Sequence, residues 1–124
     1  MISPEELRYY SMPKLQKLFR KNMGEWELGD HYYDPIKKTV NVVTFHDKLT
    51  IYRDMDIFLP LPIDPENPER GLLGMLNNFW DLYTLPELEI NKWKVVIKSG
   101  MTFNADTSTL ALLKALAAQE GVEI

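Results

Sequence analysis

The stretch from Ile57 to Pro68 most restricts what this chain can become. Pro60, Pro62, Pro65 and Pro68 fall within nine positions. Each removes a backbone donor and fixes its own φ, so neither a continuous helix nor a central strand can run through them. The same stretch carries Ile57, Phe58, Leu59, Leu61 and Ile63, which are too apolar for a free tether. We expect an extended segment lying along the domain with its apolar side chains packed down.

Helix and strand signals lie on both sides of it. Ser3-Pro4-Glu5-Glu6 has an N-cap hydroxyl, a proline at the first helical position and acids at the positive dipole end. Pro13 interrupts that helix and opens a second, capped by Ser11. Its apolar side is Leu15, Leu18 and Phe19, its solvated face is Lys14, Lys17, Arg20 and Lys21, and Asn22-Met23-Gly24 ends it. The period then changes to that of a short antiparallel meander. His31-Tyr32-Tyr33, Thr39 to Phe45 and Leu49 to Arg53 supply its strands. Leu28-Gly29-Asp30, Asp34-Pro35 and His46-Asp47-Lys48 supply its turns.

Beyond the prolines, Leu72, Leu73, Leu76, Phe79, Trp80 and Tyr83 recur at three- and four-residue spacing, which predicts a helix from Pro68 to about Tyr83, ended by Leu85-Pro86-Glu87-Leu88. Trp93, Val95 and Ile97 alternate with lysines in a strand that turns at Ser99-Gly100. Met101, Phe103 and Ala105 form the apolar side of the returning strand. Asp106-Thr107-Ser108 then caps a last helix that packs through Leu110, Leu112, Leu113, Leu116 and Ala117 and closes at Gly121. The fold class is α+β: a single domain over residues 1–124, with a small antiparallel sheet (N-terminal meander plus C-terminal hairpin) packed with three to four helices.

Charge narrows the partners. Residues 1–22 carry five basic and two acidic side chains, residues 23–91 five and thirteen, and residues 92–124 four and three. The net −4 therefore conceals an acidic middle. Only helix 13–22 offers a basic surface, so a nucleic-acid partner is not expected. The polar, acidic start lacks a secretory pattern, and no apolar run approaches the ~20 residues of a membrane helix, so a cytoplasmic protein without membrane contact is expected. The absence of cysteine excludes disulfides, thiolate catalysis and cysteine-ligated zinc.

Two stretches resemble a family. Met12-Pro13-Lys14-Leu15-Gln16-Lys17-Leu18, Trp26-Glu27-Leu28-Gly29-Asp30 and Tyr33-Asp34-Pro35 are similar to the front of small phage and prophage proteins. There a P-x-L-x-x-L helix precedes a W-x-x-G-D-x-x-Y segment. Trp93 to Ile97, Phe103-Asn104-Ala105-Asp106-Thr107 and Leu110 to Ala117 resemble their end, where a hairpin leads into A-D-T-x-x-L-A-L-x-K-A-L. The named type they most resemble is the phage ABA-sandwich domain. The resemblance implies a small layered α/β fold and a phage or prophage origin. It implies no activity and no site.

Catalytic grammar is sparse. Asp54 and Asp56, with Asp47, Asp64 or Glu66, form the densest acidic stretch but lack the spacing of a calcium loop. His31 and His46 could meet across the meander beside Asp30 or Asp47. Ser3, Ser11, Ser99 and Ser108 lie at caps or turns, outside any nucleophile-elbow pattern. Gly71-Leu72-Leu73-Gly74 lacks the Lys-Ser or Lys-Thr of a phosphate loop. No cofactor and no metal are expected. Adjacent residues of a strand face opposite ways, so one of Tyr32 and Tyr33 should point away from the core. We take Trp26, Tyr32, Tyr33, Asp54 and Asp56 as a candidate interaction surface. The expected function is a non-enzymatic phage or prophage accessory protein acting through contacts with a host or phage protein, or with itself. A small metal-dependent hydrolase using aspartates and histidines is the rival. A weak nucleic-acid module on helix 13–22 is the third reading.

Overall fold

The computed structural model describes residues 2–24, 27–44, 55–76, 87–89, 92–96 and 101–122. The fold is α+β, with four α-helices and two three-stranded antiparallel sheets among those residues.

Helix α1 (Pro4–Tyr10) opens on a reciprocal capping box. The Glu6 N–H donates to Ser3 Oγ and the Ser3 N–H donates to Glu6 Oε1, both at 3.1 Å. Ser11 was expected to cap α2 (Pro13–Met23). Instead its hydroxyl donates back to the Leu7 and Arg8 carbonyls at 2.8 and 3.2 Å, closing α1. Met12 stands at the N-cap of α2 without a side-chain hydrogen bond. Pro13 at the first helical position has no N–H to satisfy and a φ already set for helix, so α2 starts with one orphan donor fewer. Gly24, at φ +68°, ends α2 as expected. Leu15 and Phe19 are fully buried, while all four expected basic residues are exposed. Tyr10 and Phe19 join the two helices, their rings 6.0 Å apart.

The first sheet has the order β2 (Thr39–Val42), β1 (His31–Asp34), β3 (Ile57–Phe58). His31 lies opposite Val42 and Tyr33 opposite Val40. Asp34 builds the turn between them, its Oδ1 accepting from the Ile36 and Lys37 N–H groups at 2.9 and 3.2 Å. The expected strand at Leu49–Arg53 and its His46–Lys48 loop lie outside the described residues. The strand on the other side of β1 comes from the start of the Pro-rich stretch, with Phe58 opposite Tyr32 and Ile57 opposite Tyr33.

That stretch is extended and half packed. Phe58, Leu59 and Pro60 are buried, and the Tyr10 hydroxyl donates to the Pro60 carbonyl at 2.9 Å. Leu61 and Ile63 do not pack down, at 45% and 55% exposed. Their carbonyl neighbourhood is used instead: Leu72 N–H donates to Leu61 O and Leu73 N–H to Pro62 O. The long helix expected from Pro68 is also broken. A 3-10 turn at Pro68–Arg70 gives way to an extended Gly71, then to the single turn α3 (Leu72–Met75), and Leu76 is again extended. Gly71 is extended, and the Ile63–Asp64 backbone lies so close against it that Asp64 N is 2.8 Å from where a Cβ would stand. Residues 77–83 of that expected helix lie outside the described residues.

The second sheet has the order β4 (Glu87–Glu89), β5 (Lys92–Val96), β6 (Thr102–Ala105). β4 was unexpected, since Glu87-Leu88 reads locally as a helix end. Trp93 faces Ala105 and Val95 faces Phe103, the expected alternation. Met101 departs from it, 52% exposed just before β6 begins. Ile97 and the Ser99-Gly100 loop lie outside the described residues. Helix α4 (Ser108–Gln119) is capped by Thr107, whose Oγ1 accepts from the Leu110 N–H at 3.1 Å. Seven of its residues are buried, and it touches α1, α3, β5 and β6. A helix apolar around most of its circumference belongs inside a fold, and α4 is the centre of one continuous hydrophobic cluster.

Candidate functional site

The anticipated interaction surface is only partly assembled. Trp26 and Asp54 lie outside the described residues, as do His46 and Asp47. Tyr32 and Tyr33 are both half-buried, and Tyr33 packs against the core. Asp56 is buried, at 4% exposed, and its carbonyl lies 3.5 Å from Arg20 Nη2. It was expected on the surface. β3 is drawn against α2, and the residue preceding it goes under with it.

The structure gathers a different set of polar residues. The Leu28-Gly29-Asp30 turn forms where expected, with Gly29 at φ +90°. Its ends are pinned: Asp30 Oδ2 accepts from the Glu27 N–H at 2.8 Å, and Val43 N–H donates to Asp30 O at 2.8 Å. The turn thereby presents two carboxylates to Arg70, which the 3-10 turn brings in from the opposite side. Arg70 Nη2 donates to Asp30 Oδ2 at 2.8 Å and Nη1 to Glu27 Oε2. The arginine side chain is 93% buried, and its Nε has no partner among the described residues. Breaking such a pair costs more than forming it gains, so the triad fixes the turn against the Pro-rich segment.

Two neighbouring clefts lie here, and the first of them adjoins this triad. The first, about 250 Å³, is bordered by Glu27, Leu28, Asp30, Asp64, Asn67 and Arg70. Asp64 spends its Oδ1 on the Glu66 and Asn67 N–H groups, both at 3.0 Å, which holds that rim in a tight turn. The second, about 240 Å³, is mainly apolar, with Ile2, Tyr10, Val40 and Pro62 around it. His31 and the Leu59-Pro60-Leu61 segment border both. Leu61 stands exposed on that shared wall, Leu28 at the rim of the first cleft (53%) and Val40 at the rim of the second (44%).

Among the described residues no group of three or more His, Cys, Asp or Glu is arranged to hold a metal ion. Nor is any described helix long and apolar enough to cross a membrane. Ser3 is engaged as the cap of α1, as expected, whereas Ser11 closes that same helix and does not cap α2. The site brings together fixed carboxylates, a locked arginine and exposed apolar side chains. Sequence reasoning missed Arg70. A signal was present, since it is the only basic residue between Arg53 and Lys92. A lone cation in an acidic stretch is a candidate for burial with its counter-charges.

Comparison with known protein families, characterised proteins and solved structures finds no match for this chain.

Proposed function

We propose that this chain is a non-enzymatic accessory protein of phage or prophage origin that acts through protein–protein contacts at the two adjoining clefts. The supporting observation is the exposure of Leu28, Val40 and Leu61 around one pair of concavities. Single exposed apolar residues are ordinary, but several at the rims of adjoining clefts are the composition of a binding surface. Arg70 and its carboxylates supply rigidity beneath that surface, which lowers the entropy lost on binding. The origin rests on the likeness of the two end segments to small phage proteins.

The test uses the whole chain and its Leu61→Asp and Val40→Asp variants, both at exposed positions, with melting temperature as the control for folding. Affinity capture from a bacterial host lysate, with and without phage infection, should retain a protein that both variants lose. Sedimentation of the isolated chain checks whether the occupant is a second copy. Capture that both variants leave unchanged, or a strict monomer that captures nothing, overturns the proposal.

A further inference from the structure

The chemistry of the clefts names the kind of partner. We propose that they take an extended polypeptide segment that places an arginine or lysine side chain in the first cleft and an apolar side chain in the second. This rests on the reading of the clefts as a protein-binding surface.

The first cleft is bordered by the carboxylates of Glu27, Asp30, Asp64 and Glu66 against the single cation Arg70. Arg70 cannot serve an incoming anion. Its two terminal nitrogens are engaged with Asp30 and Glu27, and its Nε, which has no partner among the described residues, is buried out of reach of the cleft. The excess negative charge repels phosphate groups and acidic peptides and attracts a cation. Glu27 is 54% exposed, so its carboxylate remains open to an incoming donor as well as to Arg70. The described acids and histidines are not grouped for a metal ion, and that favours an organic cation, whose several N–H donors can reach carboxylates at different points of a rim.

The second cleft asks for something else. Ile2, Val40 and Pro62 offer no charge, the Tyr10 hydroxyl is already donated to Pro60, and the one carboxylate in the lining, Glu6, already accepts from the Ser3 N–H and the Thr107 hydroxyl. An apolar side chain fits there. Because His31 and Leu59-Pro60-Leu61 border both clefts, one short segment crossing the Leu61 ridge can reach the two together.

A yeast-displayed library of short random peptides, selected on the whole chain at low salt, tests this. The selected peptides are then measured by fluorescence anisotropy against three proteins: the wild type, an Asp64→Asn/Glu66→Gln double variant and Leu61→Asp. Asparagine keeps the side-chain oxygen that holds the 64–67 turn. The expected result is enrichment of peptides pairing an arginine or lysine with a nearby apolar residue. Their affinity should fall about tenfold in the double variant and weaken with added salt. Acidic or uncharged winners, or basic winners indifferent to the double variant, overturn the assignment of the cation. If those winners still lose binding in Leu61→Asp, the clefts stand as the binding surface. Winners indifferent to Leu61→Asp, or a library without winners, overturn both readings.

Discussion

The Gln16 carboxamide treats Phe58 as a neighbouring strand would. Its Oε1 accepts the Phe58 N–H and its Nε2 donates to the Phe58 carbonyl, each at 3.0 Å. The same Nε2 reaches the Tyr10 carbonyl at 2.6 Å. A two-residue strand has one side paired with β1, and the other would present an open edge to solvent or to a second chain. One side chain of α2 closes it.

Gln16→Ala should therefore do more than shorten a buried side chain. It removes one hydrogen-bond partner each from the Phe58 N–H and from the Phe58 and Tyr10 carbonyls, which together should cost about 2–4 kcal/mol. Urea denaturation measures the loss. Size-exclusion chromatography should also show more self-association than in wild type, because the β3 edge then loses the cover Gln16 gives it. An unchanged urea midpoint would falsify this role.

Tyr10 predicts an alkaline limb in stability. Burial, and then the nearby Glu6 charge, push its phenol well above the ordinary range. Below the unfolded pKa of about 10 both states keep the proton and the contribution is complete. As pH rises past that value the unfolded chain releases its proton first, so folding stability falls with pH. Tyr9 is shifted the same way, by burial first and Glu5 second, and adds to the slope. Tyr10→Phe should flatten this limb. At neutral pH it should cost about 1–2 kcal/mol, since the Pro60 carbonyl loses its donor. Denaturant midpoints measured from neutral pH upward test both statements.

The two carboxylates around Arg70 should be unequal. The Asp30 side chain is 11% exposed and that of Glu27 is 54% exposed. A double-mutant cycle between Arg70 and Asp30 should give a coupling of about 1.5–3 kcal/mol. The cycle with Glu27 should stay below about 1 kcal/mol, because water screens that carboxylate. Equal couplings would mean that Asp30 is not the anchoring partner.

Three glycine-to-alanine substitutions should rank by what the new Cβ meets. At Gly74 it would overlap the Pro68 carbonyl, a backbone atom that cannot step aside, and the cost should be about 3 kcal/mol or more. At Gly71 it would stand 2.8 Å from Asp64 N, a milder collision with the rim of the first cleft. At Gly29 nothing lies within 4 Å, and only the φ of +90° opposes alanine, so about 1 kcal/mol is expected. Thermal unfolding of the three variants checks the order.

These cases separate what local sequence could disclose from what it could not. Ser3, Gly24, Thr107 and Gly121 mark helix ends because their chemistry acts on residues three or four positions away. The alternation of Trp93 and Val95 likewise reads directly as β5. Gln16 carries no local signal of its role, since its partner is 42 positions distant. Arg70 meets Asp30 from 40 positions away. The expected helix from Pro68 had the right apolar spacing, yet Leu61, Pro62 and Asp64 hold its first turns in another shape. Neither cleft was foreseen, because each is bordered by segments that meet only once β1 and the Pro-rich stretch are side by side.

The contact between the Thr107 hydroxyl and Glu6 Oε2, 3.5 Å long, spans 101 residues of chain. It belongs to the larger junction of α1 with α4, and that junction sets a timetable for biosynthesis. At about 5–20 residues per second, α1 leaves the ribosome roughly 5 to 20 s before the helix it packs against. Throughout that interval α1 has none of α4 to pack against, and its apolar face depends on chaperones or on transient collapse of the nascent chain. The helix that arrives last is the one that α1, α3 and the β5–β6 pair rest on, so those junctions can close only after translation of α4.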